Sequence, residues 1–187
     1  MILPLGDEPN PRGVPVVTYA LILFNCAAYL FVTLPLSFMR VDMSDPGVEE
    51  YVRTMLNTLS QPITQRGVQA ITNGLTEYDL FVFRWGFRPA APQMLDLLTA
   101  MFLHAGFLHL AGNMLFLWIY GDNVEHRLGR ARFFAAYLAT GVVATLFHAL
   151  VAGGSLLPLL GASGAISGVL GCYFIWFPRN RVRLWVM

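Results

Sequence analysis

The chain has 187 residues, 56% of them hydrophobic and only 12% charged, with a formal net charge of +1 and a mean hydropathy of +0.58. This balance excludes an ordinary soluble domain and marks an integral membrane protein whose first partner is the lipid bilayer. It also excludes a nucleic-acid role, which requires a basic face.

Three stretches lack any Asp, Glu, Lys or Arg: Gly13 to Met39, Leu97 to Gly121 and Phe133 to Pro178. The third is long enough for two spans and is broken by Gly153-Gly154-Ser155 and Pro158. A bilayer core takes roughly 20 apolar residues per helix. The sequence therefore predicts four transmembrane helices, near Val14 to Leu36, Phe107 to Arg127, Ala131 to Ala152 and Ala162 to Phe177. The first follows Arg12, but its apolar stretch exceeds a signal-peptide core and no small-x-small cleavage site follows it, so it reads as a retained anchor. The expected fold is all-α, a polytopic membrane helix bundle. It divides into an N-terminal tail (1–13), the first span (14–36), an enlarged loop (37–93) and a membrane core (94–187).

Within the enlarged loop, Val48, Tyr51, Val52, Met55, Leu56 and Leu59 recur at helical spacing behind Ser44-Asp45-Pro46, an N-cap followed by proline in the first turn. This amphipathic helix either lies on the membrane surface or packs in a small hairpin of helices. A weaker helical stretch runs from Pro62 to Ile71. All twelve basic residues are arginine. They cluster at Arg127, Arg130 and Arg132 after the second span, and at Arg179, Arg181 and Arg183 after the fourth. Both clusters, and with them the N-terminus, are expected on the cytoplasmic side, with the plasma membrane as the expected location. Cys26 and Cys172 each lie in an apolar span without a Cys-x-x-Cys partner and read as packing residues.

This topology carries His109 and Asn113, near the start of the second span, to the same depth as Ser163 at the start of the fourth. Being four residues apart, His109 and Asn113 point the same way from one helix. Spacing alone leaves two readings, polar glue between helices or a functional constellation. The small residues around Ser163 are equally ambiguous, since Gly161/Ala165 and Gly164/Gly168 are also close-packing pairs. A metal site is not indicated, because His104 and His109 lack a third acidic or sulfur ligand nearby, and no cofactor is implied. The fourth span is short, about 24 Å at 1.5 Å per residue, so its N-terminus sits below the surface with unpaired N–H groups. That arrangement suits acyl transfer, with Ser163 attacking a carbonyl and neutral donors receiving the oxyanion.

At these residues the chain resembles the rhomboid intramembrane serine proteases. The family pattern His-x4-His-x3-Asn is met by His104, His109 and Asn113, the Gly-x-Ser-Gly motif by Gly161-Ala162-Ser163-Gly164, and a Glu-x-Arg motif by Glu125-His126-Arg127. The resemblance runs from about Tyr78 to Phe177. It implies six spans, of which four are expected here, with Ser163 as nucleophile, His109 and Asn113 in the oxyanion hole, and His104, Gly161 and Gly164 supporting the site, His104 through hydrogen bonds. It also implies a single-span membrane protein as substrate; neither substrate-binding residues nor oligomeric state are legible.

Two departures stand out. A Trp-Arg pair of some family members aligns here with Leu95-Asp96. The family's general-base histidine comes from the sixth span and has no counterpart in these residues, so the 187-residue chain alone is expected to be inactive. His148, the unassigned histidine on the Ser163 side, is the candidate for a substitute base but reads rather as a packing residue near Gly153, whereas His126 lies at the opposite depth. A part of a longer six-span protease is the favoured account. The alternative is a catalytically silent family member that binds membrane substrates or partners. A channel ranks third, because the four spans carry no charged residue at mid-depth.

Overall fold

The computed structural model describes residues 2–10, 13–58 and 64–186. Its elements are mostly helical. The first long helix, α1 (Val16–Ala28), continues through a π-helical turn at Tyr29–Thr33 into α2 (Leu34–Leu36). The enlarged loop forms α3 (Pro46–Thr58), α4 (Gln65–Thr72) and α5 (Glu77–Trp85). A short α6 (Asp96–Thr99) with a 3-10 turn at Ala100–Phe102 leads into α7 (Phe107–Leu128), α8 (Arg130–Ala152) and α9 (Ser163–Trp176).

The four long helices start and stop within a few residues of the expected spans. Val16–Leu36 and Arg130–Ala152 are long and apolar enough to cross a membrane, and Asp96–Phe102 with Phe107–Leu128 forms a third candidate bent by 95°. The fourth, α9, has 14 residues, about 21 Å of rise. Exposed Leu23, Phe31, Leu108, Phe147, Leu150 and Ile175 coat the outside of the bundle. Apolar side chains in such numbers are stable on a surface that meets lipid. The chain is a multi-pass membrane protein with an all-α bundle.

Inside, Leu117, Tyr137, Phe133, Ala165, Ile166 and Tyr173 form one core shared by α7, α8 and α9. The α8–α9 seam is built from small residues: a Cβ on Gly164 would lie 2.7 Å from the Ala144 Cβ, and one on Gly168 would overlap Thr140. This is the close backbone approach that small-xxx-small spacing permits. The α1 N-terminus is capped from a distance. Glu125, buried at the end of α7, accepts hydrogen bonds from the backbone N–H of Val17 (3.0 Å) and Thr18 (2.7 Å) and from the Thr18 hydroxyl (2.8 Å). A carboxylate there satisfies N–H groups left unpaired at a helix start and meets the positive end of its dipole.

The loop settles the choice left open for the amphipathic helix. Val48, Val52 and Leu56 of α3 pack with Val41, Leu75 and Leu80 in a separate small core. The apolar face is thus covered by protein, as in the hairpin reading. Asp45 caps α3 by accepting from the Gly47 N–H at 2.7 Å, and Thr64 caps α4 by accepting from Gly67 at 3.1 Å. Leu59, Pro62 and Ile63 of the expected loop helices lie outside the described residues.

A feature not anticipated from sequence is a two-stranded antiparallel sheet. Strand β1 (Ile2–Glu8) pairs with β2 (Arg181–Val186), Ile2 opposite Val186 and Glu8 opposite Arg181, with an irregularity between Pro4 and Gly6. The tail before the first span and the arginine-rich stretch after the fourth thus form one ordered element.

Candidate functional site

Ser163 is the first residue of α9 and is exposed. The chain reaches it through a loop held at two points. Phe87 and Leu159 exchange backbone hydrogen bonds of 3.0 and 2.8 Å, and the Gly161 N–H donates to the Ala100 carbonyl at 2.8 Å. Gly161 has φ +119, a conformation that favours glycine. Space demands glycine as well, because a Cβ there would lie 2.8 Å from His109 Cε1 and 3.0 Å from His109 Nε2. The histidine ring therefore lies directly against the loop that presents the serine.

His109 and Asn113 occupy successive turns of α7 and face this loop. The His109 Nδ1 accepts from the Ala105 N–H at 3.4 Å, which in a neutral imidazole leaves the proton on Nε2, the nitrogen nearest Gly161. The Asn113 Nδ2 is buried and has no hydrogen-bond partner, and it is 3.9 Å from the Gly161 Cβ position. His109, Asn113 and Ser163 line one cavity of about 330 Å³ together with Leu108, Phe116 and Ser167. Two side-chain N–H donors and the start of α9, whose first N–H groups have no intrahelical partner, thus share a pocket with the Ser163 hydroxyl, while the Ser167 hydroxyl donates to the Ser163 carbonyl at 2.8 Å.

His104 sits in the bend before α7 and is 1% exposed. Its ring packs edge-on against His109, centroids 5.3 Å apart, with the Phe102 backbone as its polar neighbour. Its carbonyl accepts from the Tyr78 hydroxyl at 3.0 Å. Burial, aided by the negative charge of Asp79, pushes the Tyr78 phenol up to about 12, so Tyr78 remains a donor at neutral pH. Sequence reading did not single out Tyr78, since no spacing rule links it to a residue 26 positions away.

His148 lines a second cavity of about 130 Å³ that Ser163 also lines, walled by Met101, Gly141, Thr145 and Leu160. Gly164 is placed by the α8–α9 seam, where its missing side chain lets Ser163 sit against α8. His126 lies at the far end of α7, donating from Nδ1 to the Asp122 carbonyl at 2.7 Å. Among the described residues no group of three or more His, Cys, Asp or Glu side chains is placed to hold a metal ion.

The comparisons with known proteins agree with the motifs. Rhomboid protein 1, mitochondrial, of Saccharomyces cerevisiae is 36% identical over 101 residues, 49% of this chain and 28% of its own length. The human presenilin-associated rhomboid-like protein, mitochondrial, is 36% identical over 90 residues, 47% of this chain and 24% of its own. Rhomboid protease GluP of Bacillus subtilis is 45% identical over 85 residues, 46% of this chain and 16% of its own. The chain thus spans about a quarter or less of the length of these relatives. No solved structure matches it. The relatives do not support the expected plasma membrane, since the yeast and human proteins are named as mitochondrial. The rhomboid domain model covers residues 91–187, just over half of the chain and every residue of the His109, Asn113 and Ser163 cavity, so the chain belongs to the rhomboid family.

Proposed function

We propose that the protein is an intramembrane serine endopeptidase in which Ser163 is the nucleophile. The observation that carries this reading is the single cavity shared by Ser163, His109 and Asn113. In the proposed step the Ser163 hydroxyl adds to a peptide carbonyl. The oxyanion is received by the Ser163 N–H, the His109 Nε2–H and the Asn113 amide. Neutral donors fixed before the reaction stabilise developing negative charge without reorganising.

The general base is assigned by the family resemblance to a sixth span and not to His148, although His148 and Ser163 line one cavity. The chain by itself is therefore expected to be inactive, and a histidine from beyond these residues is proposed to take the serine proton. A single-span membrane protein is the proposed substrate class. The arginine clusters support a topology with β1, the α7–α8 turn and β2 on the cytoplasm-equivalent face and Ser163 toward the other. A mitochondrial membrane is the location that the names of the yeast and human relatives support, and subcellular fractionation tests it.

The test is activity-based labelling of the protein with whatever sequence follows these residues in its reading frame. A fluorophosphonate probe is expected to label the wild type and to leave Ser163→Ala unlabelled. Equal labelling of the two removes Ser163 as nucleophile, and no labelling of either favours a catalytically silent family member that binds its partners.

A further inference from the structure

At the end of the bundle away from Ser163, one buried carboxylate joins four parts of the chain. Asp7 of β1 is 1% exposed. Its Oδ2 accepts from the Asn123 amide of α7 at 2.9 Å, the Tyr173 hydroxyl of α9 at 2.6 Å and the Asn180 amide of the turn before β2 at 3.1 Å. Asn10, with its amide nitrogen turned toward Asp7, donates to Oδ1 at 2.7 Å. Asn123 and Tyr173 are themselves buried, and the Tyr173 ring packs edge-on against Tyr120 of α7 at 4.7 Å. These are the two helices that carry the two halves of the proposed site: α7 brings His109 and Asn113, and α9 begins at Ser163.

We propose that Asp7 is a positioning residue for the Ser163 site, its carboxylate setting the axial register between α7 and α9. This inference rests on the acyl-transfer reading above. Between hub and site the two helices meet through Leu110, Met114, Leu117, Ile166 and Val169, and apolar contact is non-directional. A slip of one residue along a helix moves a side chain by about 1.5 Å, enough to lose an oxyanion contact that has to fall near 2.9 Å. Hydrogen bonds have narrow distance and angle requirements, and a carboxylate, accepting at both oxygens, can hold donors from both helices at once. An isosteric amide at position 7 removes the charge and leaves one acceptor oxygen where the carboxylate has two, so the bonds to Asn123, Tyr173 and Asn180 lose their charge assistance.

The experiment compares Asp7→Asn and Tyr173→Phe with the wild type, each carrying whatever sequence follows these residues in the reading frame, in lipid nanodiscs and scored per folded molecule by thermal melting. The maximal fluorophosphonate labelling rate is expected to fall roughly 10-fold to 100-fold, as for misplacement of reacting groups by about 1 Å, with the half-saturating probe concentration unchanged. In parallel, spin labels at exposed Trp118 of α7 and Phe174 of α9, introduced by Trp118→Cys and Phe174→Cys with Cys26→Ala and Cys172→Ala, read the helix register directly. Their distance distribution is expected to broaden or shift in Asp7→Asn. Wild-type labelling per folded molecule together with an unchanged distance distribution overturns the proposal, as does a loss that only tracks the folded fraction. If wild type and Ser163→Ala label alike, the catalytic reading falls, and the spin-label distances alone decide whether Asp7 sets the register. Should Asp7→Asn fail to fold, Tyr173→Phe, which removes one donor and no charge, carries the same comparison.

Discussion

Asn113 is the residue whose role is easiest to test, because its amide is buried beside the cavity with no hydrogen-bond partner of its own. A polar group in that state is costly unless it is used. Asn113→Ala is expected to lower the labelling rate by about 10-fold to 10³-fold if the amide serves the oxyanion, with little change in melting temperature; an unchanged rate assigns it to helix packing. Gly161→Ala combines a steric overlap on His109 with an unfavourable φ, and is expected to abolish labelling while the helices remain folded by circular dichroism. Tyr78→Phe removes the bond to the His104 carbonyl and is expected to cost about 1 kcal/mol. Because the folded-state phenol is raised to about 12, that contribution is fully present below the unfolded value of about 10 and is lost as pH rises through the folded one. The stability difference between wild type and Tyr78→Phe should therefore persist to about pH 10 and shrink above it. Topology brought His109, Asn113 and Ser163 to one depth, and the rhomboid-like motifs, not the spacing, singled them out from helix packing. The sequence could not show that the Ala105 N–H faces His109 Nδ1 or that the His104 and His109 rings are in contact, since both depend on a 95° bend that no periodicity encodes.

At the level of elements, the α8–α9 seam holds Ser163 in place, and its small residues were readable because close helix contact leaves a sequence signature. Gly168→Leu forces a large side chain against Thr140 and is expected to destabilise the bundle by roughly 1 to 3 kcal/mol, measured by thermal unfolding in detergent. Glu125→Ala releases the α1 start from its three hydrogen bonds and is expected to cost roughly 2 to 3 kcal/mol. The Glu-x-Arg motif was visible in sequence, but its partner was not, because Thr18 lies 107 residues away. The amphipathic period of α3 was equally clear, yet a period names only the apolar face and not what covers it. Val41, Leu75 and Leu80 decide that from elsewhere in the loop.

For the whole molecule, the long charge-free stretches were sufficient to place the helices of a membrane bundle, because lipid admits few alternatives to a continuous helix. The sheet was not legible, since β1 contains Pro4 and Gly6 and its partner β2 lies at the other end of the chain. Their pairing constrains the topology by parity. Two hydrogen-bonded strands share one face of the membrane, so the chain between them crosses it an even number of times. If α1–α2, α7 and α8 each cross, α9 has to cross as well, despite its 14 residues. A helix of about 21 Å in a hydrocarbon layer of about 30 Å can do so only where the bilayer thins or water reaches its end. The same count that places β1 beside β2 therefore makes α9 the helix at which the bilayer has to give way, by thinning around it or by admitting water to one of its ends, of which Ser163 is one.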